Sequence, residues 1–284
     1  MPGVVKKVSL FAALVILLSA PWTIYMVRAG HLTLGAVTGL QWMPAVAALL
    51  LCVRLKLPLR QLGLRWAGFR WASVGYLLPL AYCLVVYGAV WASGLGAVPS
   101  ADFISQMRTQ FGGGVSPWLG FTSFFAQMAT LGVLVLGVVG ALGEEIGWRG
   151  FAAPLLVARF GYAPASFLLG LFWAVWHWPG ILWADYHTDT PMAYQLACFT
   201  ASVTAFNFIL VWLRMRSGSI WPGVLAHAAH NIWIQEIFTP ATRNTGPTNW
   251  WIDEFGAGLA IALALLAVFC WADQRNVKRI EARA

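Results

Sequence analysis

The sequence predicts an all-α, polytopic membrane protein, and two observations support this prediction. Hydrophobic residues make up 60% of the 284 residues, charged residues make up only 10%, and the mean hydropathy is +0.72. Such a composition excludes an ordinary water-soluble domain. Runs of about twenty apolar residues, the length that spans about 30 Å of hydrocarbon, recur along the whole chain. We therefore expect a single integral membrane domain over residues 1–284 with about eight transmembrane helices.

The eight predicted spans are separated by connections too short to form a soluble domain. The first span follows Lys6 and Lys7, and a cleaved signal peptide has a similar start. Its apolar run continues past Pro21 to Val27, however, which favours a retained helix. The predicted spans are Val8–Val27, Leu34–Val53, Ala72–Leu95, Trp118–Leu142, Ala163–Ala184, Ala193–Met215, Gly218–Phe238 and Phe255–Ala272.

The positive charges are distributed unequally between the two sides of these spans. Fifteen of the eighteen Lys and Arg residues fall on one side, and only Arg28, Arg108 and Arg243 fall on the other. Lys and Arg accumulate in cytoplasmic loops, so the pattern predicts cytoplasmic termini and a location in the plasma (inner) membrane. The net charge of +8 does not indicate nucleic-acid binding, because the basic residues lie between apolar runs and form no separate water-facing surface. Membrane lipid is the expected surrounding.

Two adjacent carboxylates interrupt the apolar sequence at the end of the fourth span. Glu144 and Glu145 are the only acids between Asp102 and Asp185, and ionisable groups at membrane depth indicate a functional site. On a helix, Glu145 and Arg149 are four residues apart and can form an ion pair, which leaves Glu144 on another face. This division predicts one supporting acid and one chemical acid.

Two further spans carry polar side chains at helical spacing. Trp173 and His177 lie one turn apart in the fifth span, and His227 and Asn231 do so in the seventh. A single His in a membrane helix often bonds only to a neighbouring helix, and we expect His230 to do so. Several such groups on three spans instead predict a shared polar cavity within the helix bundle.

The chemistry of this set is that of hydrolysis. A carboxylate in an apolar cavity can act as a general base toward water, and His and Asn side chains can stabilise an oxyanion. The same Glu and His residues also suit zinc, with a bound water as the nucleophile. Serine chemistry is disfavoured because the chain lacks a Gly-x-Ser-x-Gly elbow, and the four cysteines show neither disulfide nor metal-ligand spacing.

Three motifs in this order resemble one protein family. They are Glu144-Glu145-x-x-x-Arg149, the aromatic residue Trp173 one turn before His177, and His227-x-x-x-Asn231. Together they are similar to motifs of the Abi (CPBP) intramembrane proteases. This family includes type II CAAX prenyl endopeptidases and bacteriocin-processing or self-immunity proteins. The resemblance covers about residues 118–238, and it departs from the family at Trp173, where Phe is common.

The resemblance implies an eight-helix endopeptidase with a chamber open to the cytoplasm and a peptide or lipidated-protein substrate. It implies that Glu144 activates water beside His177, that His227 and Asn231 bind the oxyanion, and that Glu145 and Arg149 support them. We favour a mechanism without a cofactor because Asn is a poor zinc ligand, and zinc stays the alternative. The chain also suits a non-catalytic immunity or scaffold protein and, less well, a transporter, since no repeat relates its halves.

One geometric requirement follows from the predicted spans. Glu144 falls near the end of the fourth span, whereas His177 lies roughly 20 Å into the fifth. The two side chains can meet only if the helices are tilted, or if the fourth helix runs on to about Trp148 and the fifth begins before Ala163.

Overall fold

A computed structural model of the chain, which describes residues 3–112, 114 and 116–281, is a bundle of helices. The only strands among these residues are Gly96–Ala97 and Arg243–Asn244, which pair antiparallel. Seven of the described helices are long and apolar enough to cross a membrane. These features confirm the predicted class, an all-α polytopic membrane protein.

The helices follow the predicted spans closely at most of their ends. Seven of the eight predicted spans coincide with the seven long apolar helices. The remaining one, Gly218–Phe238, is helical from Trp221 to Phe238 and is not among the seven long apolar helices. In chain order the helices are α1 (Val4–Ala29), α2 (Leu34–Arg54), α3 (Phe69–Ala92), α4 (Ala101–Phe111), α5 (Trp118–Phe160), α6 (Tyr162–Trp183), α7 (Met192–Ser217), α8 (Trp221–Asn231) and α9 (Ala257–Glu281).

The predicted end of the fourth span at Leu142 is wrong. Helix α5 continues through the charged motif to Phe160, and α6 begins at Tyr162, so that only Gly161 separates them. Gly161 has a φ of +82°, a conformation that glycine adopts without steric strain. Glu144 therefore lies inside a long helix, which meets the geometric requirement stated above.

Two helices contain wider, π-helical turns next to the polar motifs. In α5 they occupy Met128–Gly137 and Ile146–Ala152, and α8 continues into a π-helical stretch over Ile232–Phe238. Such turns are rare and are found frequently at functional sites. Two of the three stretches, Ile146–Ala152 and Ile232–Phe238, follow directly after Glu145 and Asn231, so they set the direction in which the chain leaves each motif.

Close packing between α2 and α5 fixes the position of the two acids. A side chain at Gly147 would place its Cβ 2.4 Å from Pro44 Cβ and 2.6 Å from the Pro44 carbonyl oxygen. Because glycine lacks this atom, the two backbones approach directly beside Glu144 and Glu145.

The segment between α3 and α5 contains an additional short helix. Residues Ala101–Phe111 form α4, whose first turn is capped by the Ser100 hydroxyl accepting the N–H of Phe103 at 3.1 Å. Phe103 and Met107, one turn apart, are both buried. A short amphipathic helix thus covers this end of the bundle.

Candidate active site

The four predicted groups of the site line one cavity of about 160 Å³. Glu144 comes from α5, His177 from α6, and His227 and Asn231 from α8. The structure thus brings together residues that are up to 87 positions apart in the chain. Their convergence is observed, whereas their catalytic roles stay predictions.

Glu144 is held by two indole groups. Only 1% of the residue is exposed, and its Oε2 accepts hydrogen bonds from Trp173 Nε1 at 2.6 Å and from Trp148 Nε1 at 3.4 Å. Hydrogen bonds from neutral donors stabilise a buried carboxylate in its charged form. Among the described residues, Oε1 has no hydrogen-bond donor. This second oxygen is therefore the one that can bind water in the cavity.

Glu145 and Arg149 form the ion pair that their spacing predicts. Arg149 Nη1 lies 2.7 Å from Glu145 Oε1, and both side chains are fully buried. The same oxygen lies 3.1 Å from His227 Nδ1, so Glu145 connects the guanidinium to the imidazole of α8. Within the described part of the chain, Glu145 Oε2 and two nitrogens of Arg149 have no hydrogen-bond partner. Glu145 and Arg149 therefore connect α5 to His227 of α8, although some of their own polar atoms have no hydrogen-bond partner.

Trp173 contacts both halves of the charged motif. The edge of its indole donates to Glu144, and the guanidinium carbon of Arg149 lies 4.0 Å from its ring centroid. A cation over an indole face is attracted to the ring electrons. Phe at this position could provide the face but not the N–H group. The departure from the family motif thus adds a donor to Glu144.

Hydrogen bonds fix which nitrogen of His177 carries a proton. Its Nδ1 lies 2.8 Å from the carbonyl oxygen of Trp173, which only accepts hydrogen bonds, so Nδ1 must be the donor. In the neutral ring, Nε2 is then an acceptor. By the same argument, His227 directs an Nδ1–H group toward Glu145.

His230 bonds to neighbouring helices, as expected, and it also contributes to the cavity. It lines the cavity, its ring stacks on Phe206 with centroids 4.4 Å apart, and its Nδ1 bonds to the Tyr82 hydroxyl. Its Nε2 lies 3.3 Å from Glu254 Oε1. His230 therefore belongs to a second polar group in the cavity.

Sequence reasoning did not single out Glu254, which anchors this second group. Its Oε1 accepts from Gln235 Nε2 at 3.1 Å, and its Oε2 accepts from the Tyr186 hydroxyl. Burial alone would raise the pKa of Glu254, but the bond and the charge of His230 hold that pKa below its ordinary value. The available signal was an acid directly before an apolar run, since Glu254 precedes the predicted span that begins at Phe255.

The described residues offer few ligands for a metal ion. Among them, no three His, Cys, Asp or Glu side chains are grouped so that they could hold one. The Nδ1 atoms of His177 and His227 bond to a carbonyl and a carboxylate, and Glu144 Oε2 accepts two indole N–H groups, so a metal would have to use the Nε2 atoms and Glu144 Oε1. Residues Asp185–Asp189, which also contain two acids and a histidine, form a loop whose acids bond to the Leu32 backbone and to Asn249.

Comparisons with known proteins agree with the resemblance read from the motifs. Residues 126–233 match the family described as type II CAAX prenyl endopeptidase Rce1-like. The chain is also 30% identical over 159 residues to CAAX prenyl protease 2 of Methanococcus maripaludis. That match covers 55% of this chain and 54% of the relative, so the chain spans about half of the relative's length. The matched region contains all six predicted site residues, and the resemblance to the Abi (CPBP) family is confirmed.

Proposed function

Because the region that builds the cavity is similar to type II CAAX prenyl endopeptidases, we propose that the chain is an intramembrane endopeptidase. It would hydrolyse a peptide bond in a membrane-associated peptide or protein. The observation that carries this proposal is the convergence of Glu144, His177, His227 and Asn231 on one cavity. In this arrangement Glu144 would be the base, His177 a hydrogen-bond acceptor for water, and His227 and Asn231 the ligands of an oxyanion. A non-catalytic immunity protein or a transporter would not require these four groups in one cavity.

Glu144 and His177 would bind the attacking water as two hydrogen-bond acceptors. Water has two protons, so it can donate one to Glu144 Oε1 and one to His177 Nε2 while its lone pair faces the substrate carbonyl. As the water oxygen bonds to the carbonyl carbon, Glu144 takes a proton. Glu144 later gives this proton to the departing nitrogen as the C–N bond breaks. The step uses one water and leaves a carboxylate and an amine.

His227 and Asn231 would stabilise the oxyanion that forms during the attack. The Asn231 amide is a donor in any state, whereas His227 Nε2 donates only when the ring carries both protons. Glu145 Oε1 lies 3.1 Å from Nδ1 and fixes the orientation of this ring.

The reaction would proceed without a metal ion. This part of the proposal is supported by the absence of a three-donor group in the described region and by Asn231, a poor zinc ligand, in the fourth position of the site. Purified protein should contain less than one equivalent of zinc by elemental analysis, and dialysis against a chelator should leave its activity unchanged. Stoichiometric zinc together with loss of activity on chelation would restore the zinc alternative.

Replacing Glu144 by Gln tests the proposed function directly. Loss of a general base lowers the rate by about 10²- to 10⁴-fold, and the neutral amide keeps the size of the side chain. The substrates to use are a farnesylated CAAX-type peptide and its unprenylated counterpart, with cleavage followed by mass spectrometry. Glu236→Gln, the same change at an exposed position of the segment that follows Asn231, is the matched control.

A fully active Glu144→Gln protein would contradict the proposed mechanism. If the unmodified protein cleaves neither peptide, new peptide termini should be compared in membranes that contain the unmodified protein or Glu144→Gln. Identical termini in the two membranes would favour the non-catalytic immunity or scaffold function. That function also predicts that Ala at both His177 and His227 preserves the cellular phenotype.

A further inference from the structure

A groove on the surface of the bundle lies apart from the cavity around Glu144 and shares no lining residue with it. It has a volume of about 550 Å³ and is formed by α3, α5 and the first turns of α8. Its walls are predominantly apolar, with Leu77 on α3, Leu134 on α5 and Leu225 on α8. Ligand pockets usually measure about 300–1,000 Å³, so this groove has room for a ligand. We call it the α3–α5 groove.

Two of the three hydroxyl groups that line the groove are already bonded within the bundle. The Tyr76 hydroxyl donates to the carbonyl oxygen of Ala129 at 2.5 Å, and the Thr130 hydroxyl donates to that of Ala126 at 2.7 Å. Ala129 and Thr130 belong to the π-helical stretch Met128–Gly137. Because these hydroxyl protons are engaged, the walls of the groove mainly offer contacts to hydrocarbon.

One end of the groove is framed by aromatic rings around the α2–α3 connection. Trp66 contacts the rings of Phe69 and Trp221, with centroid distances of 6.0 Å and 6.2 Å. The Trp221 indole donates to the carbonyl oxygen of Leu64 at 2.7 Å and so fixes the connection to the start of α8. Trp side chains are enriched where hydrocarbon meets water. This end of the groove therefore lies at the membrane surface.

The same connection and its flanking residues carry positive charge and no acid. All five basic side chains are exposed, namely those of Arg54, Lys56, Arg60, Arg65 and Arg70. No Asp or Glu precedes Asp102 in the sequence, and among the described residues none of the five basic side chains forms an ion pair with a carboxylate. Arg65 and Arg70 directly flank the segment that contains Trp66 and Phe69. The surface end of the groove is thus strongly positive.

The depth of the groove matches the thickness of one membrane leaflet. Along α3 its lining extends from Phe69 to Leu77, which is eight positions or roughly 12 Å at about 1.5 Å per residue. The hydrocarbon of one leaflet is about 15 Å thick, half of the roughly 30 Å of the whole core. An acyl chain whose head group lies at the membrane surface therefore fits along the groove.

We propose that the α3–α5 groove is a binding site for an anionic phospholipid. One acyl chain lies between α3 and α5, and the negatively charged phosphate lies near the exposed guanidinium groups of Arg65 and Arg70. The distribution of Lys and Arg predicts that this end of the groove faces the cytoplasm, where the leaflet contains anionic lipids. The site is separate from the cavity around Glu144, so the proposal does not depend on hydrolysis.

A lipid in the groove would support the two helices that contribute Glu144 and the oxyanion ligands. Val138, in the groove wall, precedes Glu144 by six positions on α5, and Leu225 contributes the wall of α8. The two helices touch beside the groove, where a Cβ at Gly137 would lie 2.9 Å from the Cβ of Ala228. A chain that packs on both walls stabilises this pairing. Bound anionic lipid should therefore raise the thermal stability of the folded protein.

Thermal unfolding of the purified full chain in detergent tests the proposal without any peptide cleavage. The probes are dioleoyl phosphatidylglycerol, which is anionic, and dioleoyl phosphatidylcholine, which has the same chains and no net charge. At a hundredfold excess over its Kd, a ligand that binds only the folded state should raise the Tm of a chain of this size by about 5 °C. We expect this rise with phosphatidylglycerol and a much smaller one with phosphatidylcholine.

Two variants locate the site. Arg65→Gln/Arg70→Gln removes the charges and Ala72→Phe fills the groove, so each should lose most of the rise that phosphatidylglycerol causes. The matched control is Arg28→Gln/Arg243→Gln, which removes two exposed charges from the other side of the predicted spans and should keep the full rise. Each variant is compared with and without lipid, so a lower starting Tm does not affect the comparison.

Equal rises with the two lipids would overturn the proposal, because the head group would then play no part. A rise that persists in Arg65→Gln/Arg70→Gln or in Ala72→Phe would also overturn it, since the lipid would then bind elsewhere. If Ala72→Phe does not fold, Leu134→Trp on the facing wall takes its place.

Two other occupants of the groove are distinguished by the same variants. If the farnesylated peptide gives an equal rise that Ala72→Phe abolishes, the groove holds the lipid chain of a substrate. If Ala72→Phe converts a dimer into a monomer in detergent, the groove holds a second copy of the chain. Either result would overturn the assignment to an anionic phospholipid.

Discussion

The buried Glu145–Arg149 pair gives the most quantitative prediction. Both side chains are fully buried and their charged atoms are 2.7 Å apart, so removing one charge leaves the other without compensation. Removing one member of such a pair costs about 3–5 kcal/mol, because an unpaired charge is left in an apolar interior. With about 2 °C of Tm for each kcal/mol in a chain of this size, Arg149→Met should lower Tm by roughly 6–10 °C.

Removing both charges should restore much of this loss. Glu145 Oε2 and two nitrogens of Arg149 have no partner among the described residues, so the pair recovers only part of its desolvation energy. The double variant Glu145→Gln/Arg149→Met should therefore lie within about 2 °C to 4 °C of the unmodified protein. Thermal unfolding in detergent, followed by tryptophan fluorescence, measures all four proteins of this double-mutant cycle.

The outcome that refutes this reasoning is additivity. If the double variant loses as much stability as the two single variants together, the charges do not compensate each other in the folded protein. The control is Arg216→Met, which removes a guanidinium whose ion pair with Asp273 is partly exposed. That change should shift Tm by no more than about 2 °C, because exposed pairs contribute at most about 1 kcal/mol.

Three further predictions concern other parts of the structure. Trp173→Phe removes the indole N–H that donates to Glu144 and keeps an aromatic ring. Because hydrogen bonds to charged groups contribute about 1.5–3 kcal/mol, this change should lower kcat/KM by about 10- to 100-fold. Unchanged kinetics would contradict the proposed role of this bond. Gly147→Ala should destabilise the fold by about 1–3 kcal/mol, because the added methyl group overpacks the contact with Pro44. The control is Gly88→Ala, which should not destabilise the fold because the space around its Cβ is open. Thermal unfolding of the two variants measures the difference. Burial raises the pKa of Asp253 to about 7, so the part of the stability that depends on Asp253 should be greatest below about pH 4 and fall by about 1.4 kcal/mol per pH unit as pH rises toward 7. Asp253→Asn should abolish this fall, and a Tm–pH profile that the substitution leaves unchanged would assign the fall to another group.

The sequence predicts the helices well because lipid requires long apolar runs whose backbone bonds are internal. It fails at α5, because Glu144, Glu145 and Arg149 look like the end of a span. A hydropathy scale scores every charged residue as one that is exposed to water. The charge of Arg149 is instead compensated inside the bundle by Glu145 and by the face of the Trp173 ring. Only the three-dimensional arrangement reveals that compensation.

Contacts between site residues could be predicted from the sequence where the residues lie on one face of the same helix. Contacts between residues of different segments could not. The spacing of His227 and Asn231 is visible in the sequence, and so is the spacing of Glu145 and Arg149. The bonds of Glu254 to His230, Gln235 and Tyr186 join three separate stretches of the chain, so no local pattern indicates them.

The small volume of the cavity restricts the conformation of anything cleaved in it. One turn of an α-helix with its side chains occupies roughly 400 Å³, whereas the cavity around Glu144 measures about 160 Å³. A substrate helix would have to unwind before its backbone reached the acid, and the freed backbone groups would need water or polar side chains as partners. Segments weakened by glycine or proline, or ending at the membrane surface, would unwind most readily, and bond selection would then depend on helix stability more than on side-chain identity.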